Sequence, residues 1–236
     1  MKAPIAPRTT ILPNGLVLIT EANTSRRSAS MCWLVPGGVA YDPIENGDGF
    51  ASLISEYLFR GAGSLDSREL SEAFDRLGAR RSIVAETFFQ RFSLTLAGEN
   101  LYDGLSLMVD LVRTPHVAPD ALEAVKSLCL QELNGLDDDP SHLSQLRLDE
   151  IRLPPPFDRH GLGTVATLQG ATAEALRDHF TTSATPGGMI LAASGAVGGN
   201  VCNATSTFEA MYTSASSIIT LSYSTNAHTS SFSRVR

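Results

Sequence analysis

The chain has 236 residues, 43% hydrophobic and 18% charged, an ordinary balance for a globular protein long enough to bury one sizeable core. A formal net charge of -7 without any basic cluster argues against a nucleic-acid partner, and no apolar run reaches membrane-spanning length, so no membrane is expected either. The cysteines at 32, 129 and 202 are too far apart for a ligand pair or a disulfide framework; Cys32 and Cys129 fall in apolar stretches and read as small buried hydrophobes.

Residues 9–20 read as a strand, a tight Asn14-Gly15 turn and a second strand. Ser28 to Val35 is another strand, leading through Pro36-Gly37-Gly38 and Tyr41-Asp42-Pro43. Residues 49–63, Gly-Phe-Ala-Ser-Leu-Ile-Ser-Glu-Tyr-Leu-Phe-Arg-Gly-Ala-Gly, place Phe50, Leu53, Ile54, Tyr57 and Leu58 at i, i+3, i+4, i+7 and i+8. That spacing predicts a helix burying one face, bounded by Asn46-Gly47-Asp48-Gly49 and Gly61-Ala62-Gly63. Asp66-Ser67-Arg68-Glu69 is a capping-box start for a helix running to Leu77 and stopped by Gly78.

Two strands are expected at 80–86 and 88–97, the second alternating Phe88, Gln90, Phe92, Leu94 and Leu96 against Arg91, Ser93 and Thr95. Helices are expected at 99–112 and 120–136; in the latter Leu122, Val125, Cys129 and Glu132 share one stripe, which places a carboxylate on an otherwise apolar face. Such a group needs a partner or a way out to water. Asp139 with Pro140 behind it starts a further helix ending near Arg152, so the acidic run 137–139 is read as capping and not as a cation site. A proline-rich loop (154–164), a helix at 172–180 and a strand at 189–194 follow. The histidines at 116, 142, 160, 179 and 228 form no i, i+3 or i, i+4 pair and are read as surface or loop residues. No Gly-x-Ser-x-Gly elbow and no phosphate-binding glycine loop is present.

The last segment changes character. From Val201 to Arg236 roughly two-fifths of the residues are Ser or Thr, with neither Gly nor Pro. The chain is therefore divided into 1–197 and a divergent Ser/Thr-rich tail, 198–236. The composition shift favours a frameshifted or truncated end over a divergent, partly disordered tail; a packed helix across 201–215 would count against the frameshift.

The wording of residues 49–63 resembles the insulinase-like metallopeptidases (the pitrilysin and mitochondrial processing peptidase family, M16-type), in which Gly-Leu-Ala-His-Phe-Leu-Glu-His-Met-Leu-Phe-Lys-Gly-Thr carries the inverted zinc motif His-x-x-Glu-His. On that pattern Ser52 takes the first histidine's place, Ser55 the general base's and Glu56 the second histidine's. The family's spacing to its third ligand, a glutamate on a later helix, leads from Glu56 to Glu132. Glu132 is then either a relic of a metal site or a plain helix carboxylate that escapes to solvent or pairs with an arginine such as Arg60. The resemblance covers about residues 9–197, including the opening hairpin and the loop before Leu162-Gly163-Thr164.

The resemblance implies an α+β fold, an antiparallel or mixed sheet packed by helices on one side, forming one half of a two-half chamber. It implies zinc in active members. Here a hydroxyl and two carboxylates are a poor set for that ion, so no cofactor is expected, although a weak magnesium or calcium site between Glu56 and Glu132 is conceivable. In the family the strand at 80–86 is a sheet edge that receives substrate as an added strand; a charged edge protected against aggregation is the plainer alternative.

The expected function is a catalytically inactive half-domain, a non-catalytic partner of a zinc-bearing subunit or a module that holds a peptide or unfolded polypeptide. One alternative is an active peptidase with an altered metal set at Ser52, Glu56 and Glu132, which lacks a general base unless Glu45 or Asp48 supplies it. The other is a remnant without independent function. Residues 1–8 lack the apolar segment of a secretory signal, and the expected address is the cytoplasm of a bacterium.

Overall fold

The computed structural model describes residues 6–197. The opening hairpin forms as its Asn-Gly turn dictates: β1 (Arg8–Ile11) pairs antiparallel with β2 (Val17–Ala22), and Asn14 Oδ1 accepts the Leu16 N–H at 3.1 Å. β3 (Ser28–Pro36) pairs antiparallel with β7 (Phe89–Ala97), which in turn pairs with β6 (Arg80–Ala85). β8 (Ile190–Gly195) closes the gap between the halves, parallel to β2 and antiparallel to β3. The strand order is β1, β2, β8, β3, β7, β6, so β1 and β6 are the edges of a mixed sheet. A short hairpin of β4 (Gly61–Ala62) and β5 (Leu65–Asp66) stands apart, where the sequence reads a helix stop.

Period-two burial makes this sheet one-sided. Ala29, Met31, Trp33 and Val35 of β3 point inward with Phe92, Leu94 and Leu96 of β7, while Ser28, Ser30 and Thr95 face out, Ser30 Oγ and Thr95 Oγ1 sharing a 2.9 Å hydrogen bond. The inner face is covered by α1 (Phe50–Tyr57), α2 (Ser67–Arg76), α3 (Leu101–Arg113), α4 (Pro119–Gly135) and α7 (Ala173–Ser183), whose Leu53, Leu70, Met108, Val125 and Leu176 are almost fully enclosed. Each such side chain contributes roughly 1.5–3 kcal/mol of burial.

The local start signals act as read. Asp66 and Glu69 exchange both bonds of a capping box at 2.8 and 3.0 Å, and Asp139 caps α5 (Pro140–Arg152) through the N–H groups of Ser141 and His142. A six-residue helix, α6 (Val165–Gly170), opens on Thr164 and Thr167; it is too short for a periodic signal and was not expected. Phe88, assigned to a strand by its alternation, lies in the β6–β7 turn and is exposed. Cys129 is buried as expected, but Cys32 is half-buried on β3. Cys202, His228 and the segment 198–236 lie outside the described residues. Among the described residues no helix is long and apolar enough to cross a membrane.

Candidate functional site

The motif positions sit on α1, held at its N-terminus by a carboxylate from the preceding loop. Gly49, at φ 92°, supplies the N-cap without a side chain, so the first N–H groups are left for Asp42: its Oδ2 accepts from Gly49 N at 3.0 Å and its Oδ1 from Ala51 N at 2.9 Å. Burial pushes the Asp42 carboxyl up to about 7, assisted by the charge of Asp48 and opposed by those two N–H bonds and by Arg159. Arg159 also donates to the Asp42 carbonyl at 3.0 Å. Across from it lies His179 of α7, its Nε2 3.7 Å from Asp42 Oδ1 and its ring edge-on to Phe50 at 5.9 Å. This corrects the reading of His179 as a surface or loop residue: its side chain is 11% exposed, and burial lowers its pKa. Further support comes from Gln90 of β7, fully buried, whose Nε2 donates to the carbonyls of Gly37 (3.1 Å) and Ala51 (2.8 Å).

On this scaffold the two serine hydroxyls are spent on backbone. Ser52 Oγ donates to the Gly161 carbonyl at 2.8 Å, tying α1 to the proline-rich loop, and Ser55 Oγ donates to the Ser52 carbonyl at 2.8 Å. Glu56, one residue on, is exposed, and so is Glu132 of α4. The helix stripe predicted around Glu132 is real as far as Leu122, Val125 and Cys129, which are buried; Glu132 stands at its rim and escapes to solvent. Arg60 forms no ion pair with it among the described residues, and its Nε has no hydrogen-bond partner there. The fold nevertheless brings Glu56 and Glu132 to a common neighbour: burial first, then both carboxylates, push the Cys129 thiol up to about 12.

Zinc requires deprotonated donors converging at about 2 Å. Two hydroxyls donating into carbonyls, a protonated buried thiol and two solvated carboxylates do not fit that ion. Among the described residues no three His, Cys, Asp or Glu side chains gather closely enough to hold one.

Beside α1 runs the free edge of β6. Arg81 folds back from this strand over the rings of Phe74 and Phe59, at 4.6 and 5.5 Å, donates to Ser71 Oγ at 3.2 Å and stands 3.6 Å from Asp75. The strand thus keeps its outer backbone groups unpaired among the described residues while Arg81, one of its two cations, is turned toward α2 and Arg80 is exposed. At its C-terminal end a cavity of about 550 Å³ opens between Val39, Ala85, Phe88 and Phe89 on the apolar side and Glu86, Thr87 and His160 on the polar side.

Sequence reasoning singled out Ser52, Ser55, Glu56 and Glu132 and assigned no role to Asp42, Gln90 or His179, which the fold packs around the start of α1. A lone Asp ahead of a proline carries no signal that it caps a helix several residues away.

A one-sided α+β half-domain, with a central helix and a later helix presenting carboxylates at its rim, is the fold of a zinc-peptidase half. A model of the insulinase family, peptidase family M16, matches residues 17–153, and the chain belongs to that family. An uncharacterized zinc protease of Mycobacterium tuberculosis is 26% identical over 197 residues, covering 83% of this chain and 44% of its own length. A probable mitochondrial-processing peptidase subunit beta of Arabidopsis thaliana is 23% identical over 194 residues, 80% of this chain and 36% of that protein. The chain therefore spans less than half the length of these relatives. In fold it is similar to an M16 peptidase inactive domain from Pseudomonas fluorescens, with a TM-score of 0.79 at 19% identity, covering 88% of this chain and 51% of that one.

Proposed function

We propose that this chain is a non-catalytic insulinase-family half-domain, which holds an extended polypeptide along β6 or serves as the partner of a zinc-bearing half. The observation that carries this reading is the fate of the motif hydroxyls: Ser52 and Ser55 donate to carbonyls of Gly161 and Ser52 and offer neither a metal donor nor a base. The unpaired edge of β6 supports the peptide-holding role, since an added strand completes its backbone hydrogen bonds. The relatives' greater length supports the pairing role. On this reading the chain needs no zinc of its own.

The test is metal analysis of the purified protein together with peptide cleavage with and without a chelator. Substoichiometric zinc, no chelator-sensitive cleavage and capture of either an unfolded polypeptide or a zinc-bearing M16 subunit are expected. Stoichiometric zinc with chelator-sensitive cleavage overturns the proposal.

A further inference from the structure

The face of the sheet turned away from the helices carries an ordered pattern that neither α1 nor the β6 edge uses. Residues that alternate with the buried ones line up in rows across the strands, and the pairing registers fix the members of each row. One row runs from edge to edge through Ile11, Val17, Ile190, Leu34, Arg91 and Val84, aliphatic everywhere but at the arginine. That cation is already engaged: Arg91 Nε meets Glu86 at 2.5 Å, and its guanidinium donates to Ser93 Oγ at 3.0 Å. Ile11 is 72% and Val84 40% exposed, and Val17, Ile190 and Leu34 between them are only half-buried, so the row meets water along its whole length.

Two residues along each strand the side chains shrink, with Ala192 paired to Cys32 at the centre of the sheet. Two residues further the row is polar and ends in opposite charges, running from Glu21 of β2 through Ser194, Ser30 and Thr95 to Arg80 of β6. Glu21 and Arg80 are both exposed and unpaired among the described residues. Four strand spacings, about 19 Å, separate them, too far for them to meet within one chain.

We propose that this face is a self-association surface, on which a second copy of the chain packs sheet to sheet about a two-fold axis running along the strands. Such an axis keeps every row in step with its own copy while reversing the strand order. Ile190 then faces Leu34 of the second copy, Ile11 faces Val84 and Ala192 faces Cys32. Glu21 comes to lie one strand from Arg80 of the second copy, a gap that two long side chains span between sheets about 10 Å apart. An axis along the apolar row would instead set Arg91 against Arg91 and leave the polar row uncovered. The pattern is thus self-complementary in apolar contact and in charge, which argues for a second copy over an unrelated partner. A face six strands wide and about six residues deep spans roughly 24 Å by 20 Å, so the pair buries on the order of 1,000 Å², at the lower end for a specific interface. The contact covers neither α1 nor the outer edge of β6, and it stands or falls independently of the proposed function.

The test is sedimentation velocity of the full chain from about 1 to about 300 µM. A monomer–dimer equilibrium is expected, with a dissociation constant of roughly 1–100 µM. Leu34→Glu, which sets a carboxylate against Ile190 of the second copy, is expected to weaken it by about tenfold or more. Ile11→Glu, on an exposed edge position that the fold does not need, is expected to weaken it by about threefold even if Leu34→Glu fails to fold. Glu21→Arg and Arg80→Glu are each expected to weaken the dimer about threefold and together to restore it, a rescue that unspecific adhesion of an apolar face does not give. A chain that stays monomeric, a dimer indifferent to the glutamate variants, or charge reversals without effect or without rescue overturns the proposal. If the chain is monomeric alone but binds a zinc-bearing M16 half, and Ile11→Glu abolishes that binding, the face belongs to the other half and self-association is equally overturned.

Discussion

Asp42 and His179 carry opposite perturbations for one reason, burial, which disfavours the carboxylate in one and the imidazolium in the other. Their nearness does not reverse this, because a carboxyl lifted to about 7 is a weak counter-ion for the ring 3.7 Å away. Folded Asp42 keeps a proton that the unfolded chain releases near 3.8, so its contribution to stability is full below that value and is lost as pH rises toward 7. His179 has its pKa depressed below 6.5; its contribution is present above that value and is lost as pH falls through the lowered one. In the intact chain the two pH dependences oppose each other in mildly acidic solution. Removing one partner exposes the other. Between about pH 5 and about pH 7.5, urea stability of Asp42→Asn is expected to rise relative to the unsubstituted protein, by up to about 2.5 kcal/mol, and that of His179→Phe to fall. Parallel curves for the three proteins would refute this account.

At the scale of elements, α1 is positioned by backbone approaching backbone. Gly163, at φ 74°, sits against the residues that precede the helix: a Cβ there would stand 2.4 Å from the Asp48 carbonyl and 2.9 Å from Gly49 Cα. Gly163→Ala should therefore cost about 2–4 kcal/mol and lower the melting temperature by roughly 5–10 °C. Gly135→Ala, at the helical end of α4 with nothing within 4 Å, should be neutral or gain up to about 1 kcal/mol in the same melt. An equal loss in both would mean that close packing at Gly163 is not what holds the loop to α1.

The same contrast explains what was legible in the sequence. The Asp66 capping box, the Asp139 cap, the Asn-Gly hairpin and the helices with apolar stripes act within three or four residues of themselves and could be read. The step from Glu56 to Glu132 came from the family resemblance and not from a local pattern. The Asp42 cap reaches seven and nine residues along the chain, beyond the span of a capping motif, and the Gln90 bonds to Gly37 and Ala51 and the burial of His179 join segments far apart, so no local pattern encodes them. The exposure of Glu132 was hidden for a related reason: a stripe gives the direction of a side chain on its helix but not where the neighbouring helix ends.

For the whole molecule, the separation between holding an ion and cleaving a peptide can be tested directly. α1 starts on a buried cap, α4 runs beside it, and Glu56 and Glu132 both bear on Cys129. On the proposed reading, what differs from a zinc-bearing half is the donor set. The triple variant Ser52→His, Ser55→Glu and Glu56→His places two imidazoles one helical turn apart and leaves Glu132 as a third donor, so zinc should bind with a dissociation constant on the order of 1 µM or tighter, and the unsubstituted chain is expected to bind it far more weakly. Calorimetric titration at fixed pH measures both. The chain matches 44% of the M. tuberculosis relative's length, and the proposed half-domain contributes one wall of a two-sided site. The zinc-loaded triple variant should therefore cleave an unfolded polypeptide far more slowly alone than when mixed with a second M16 half. If the triple variant folds, as judged by an unchanged circular dichroism spectrum, and still fails to bind zinc, then α1 and α4 do not retain the geometry of the family's metal site. If it binds zinc and cleaves equally fast alone, the pairing role loses its support.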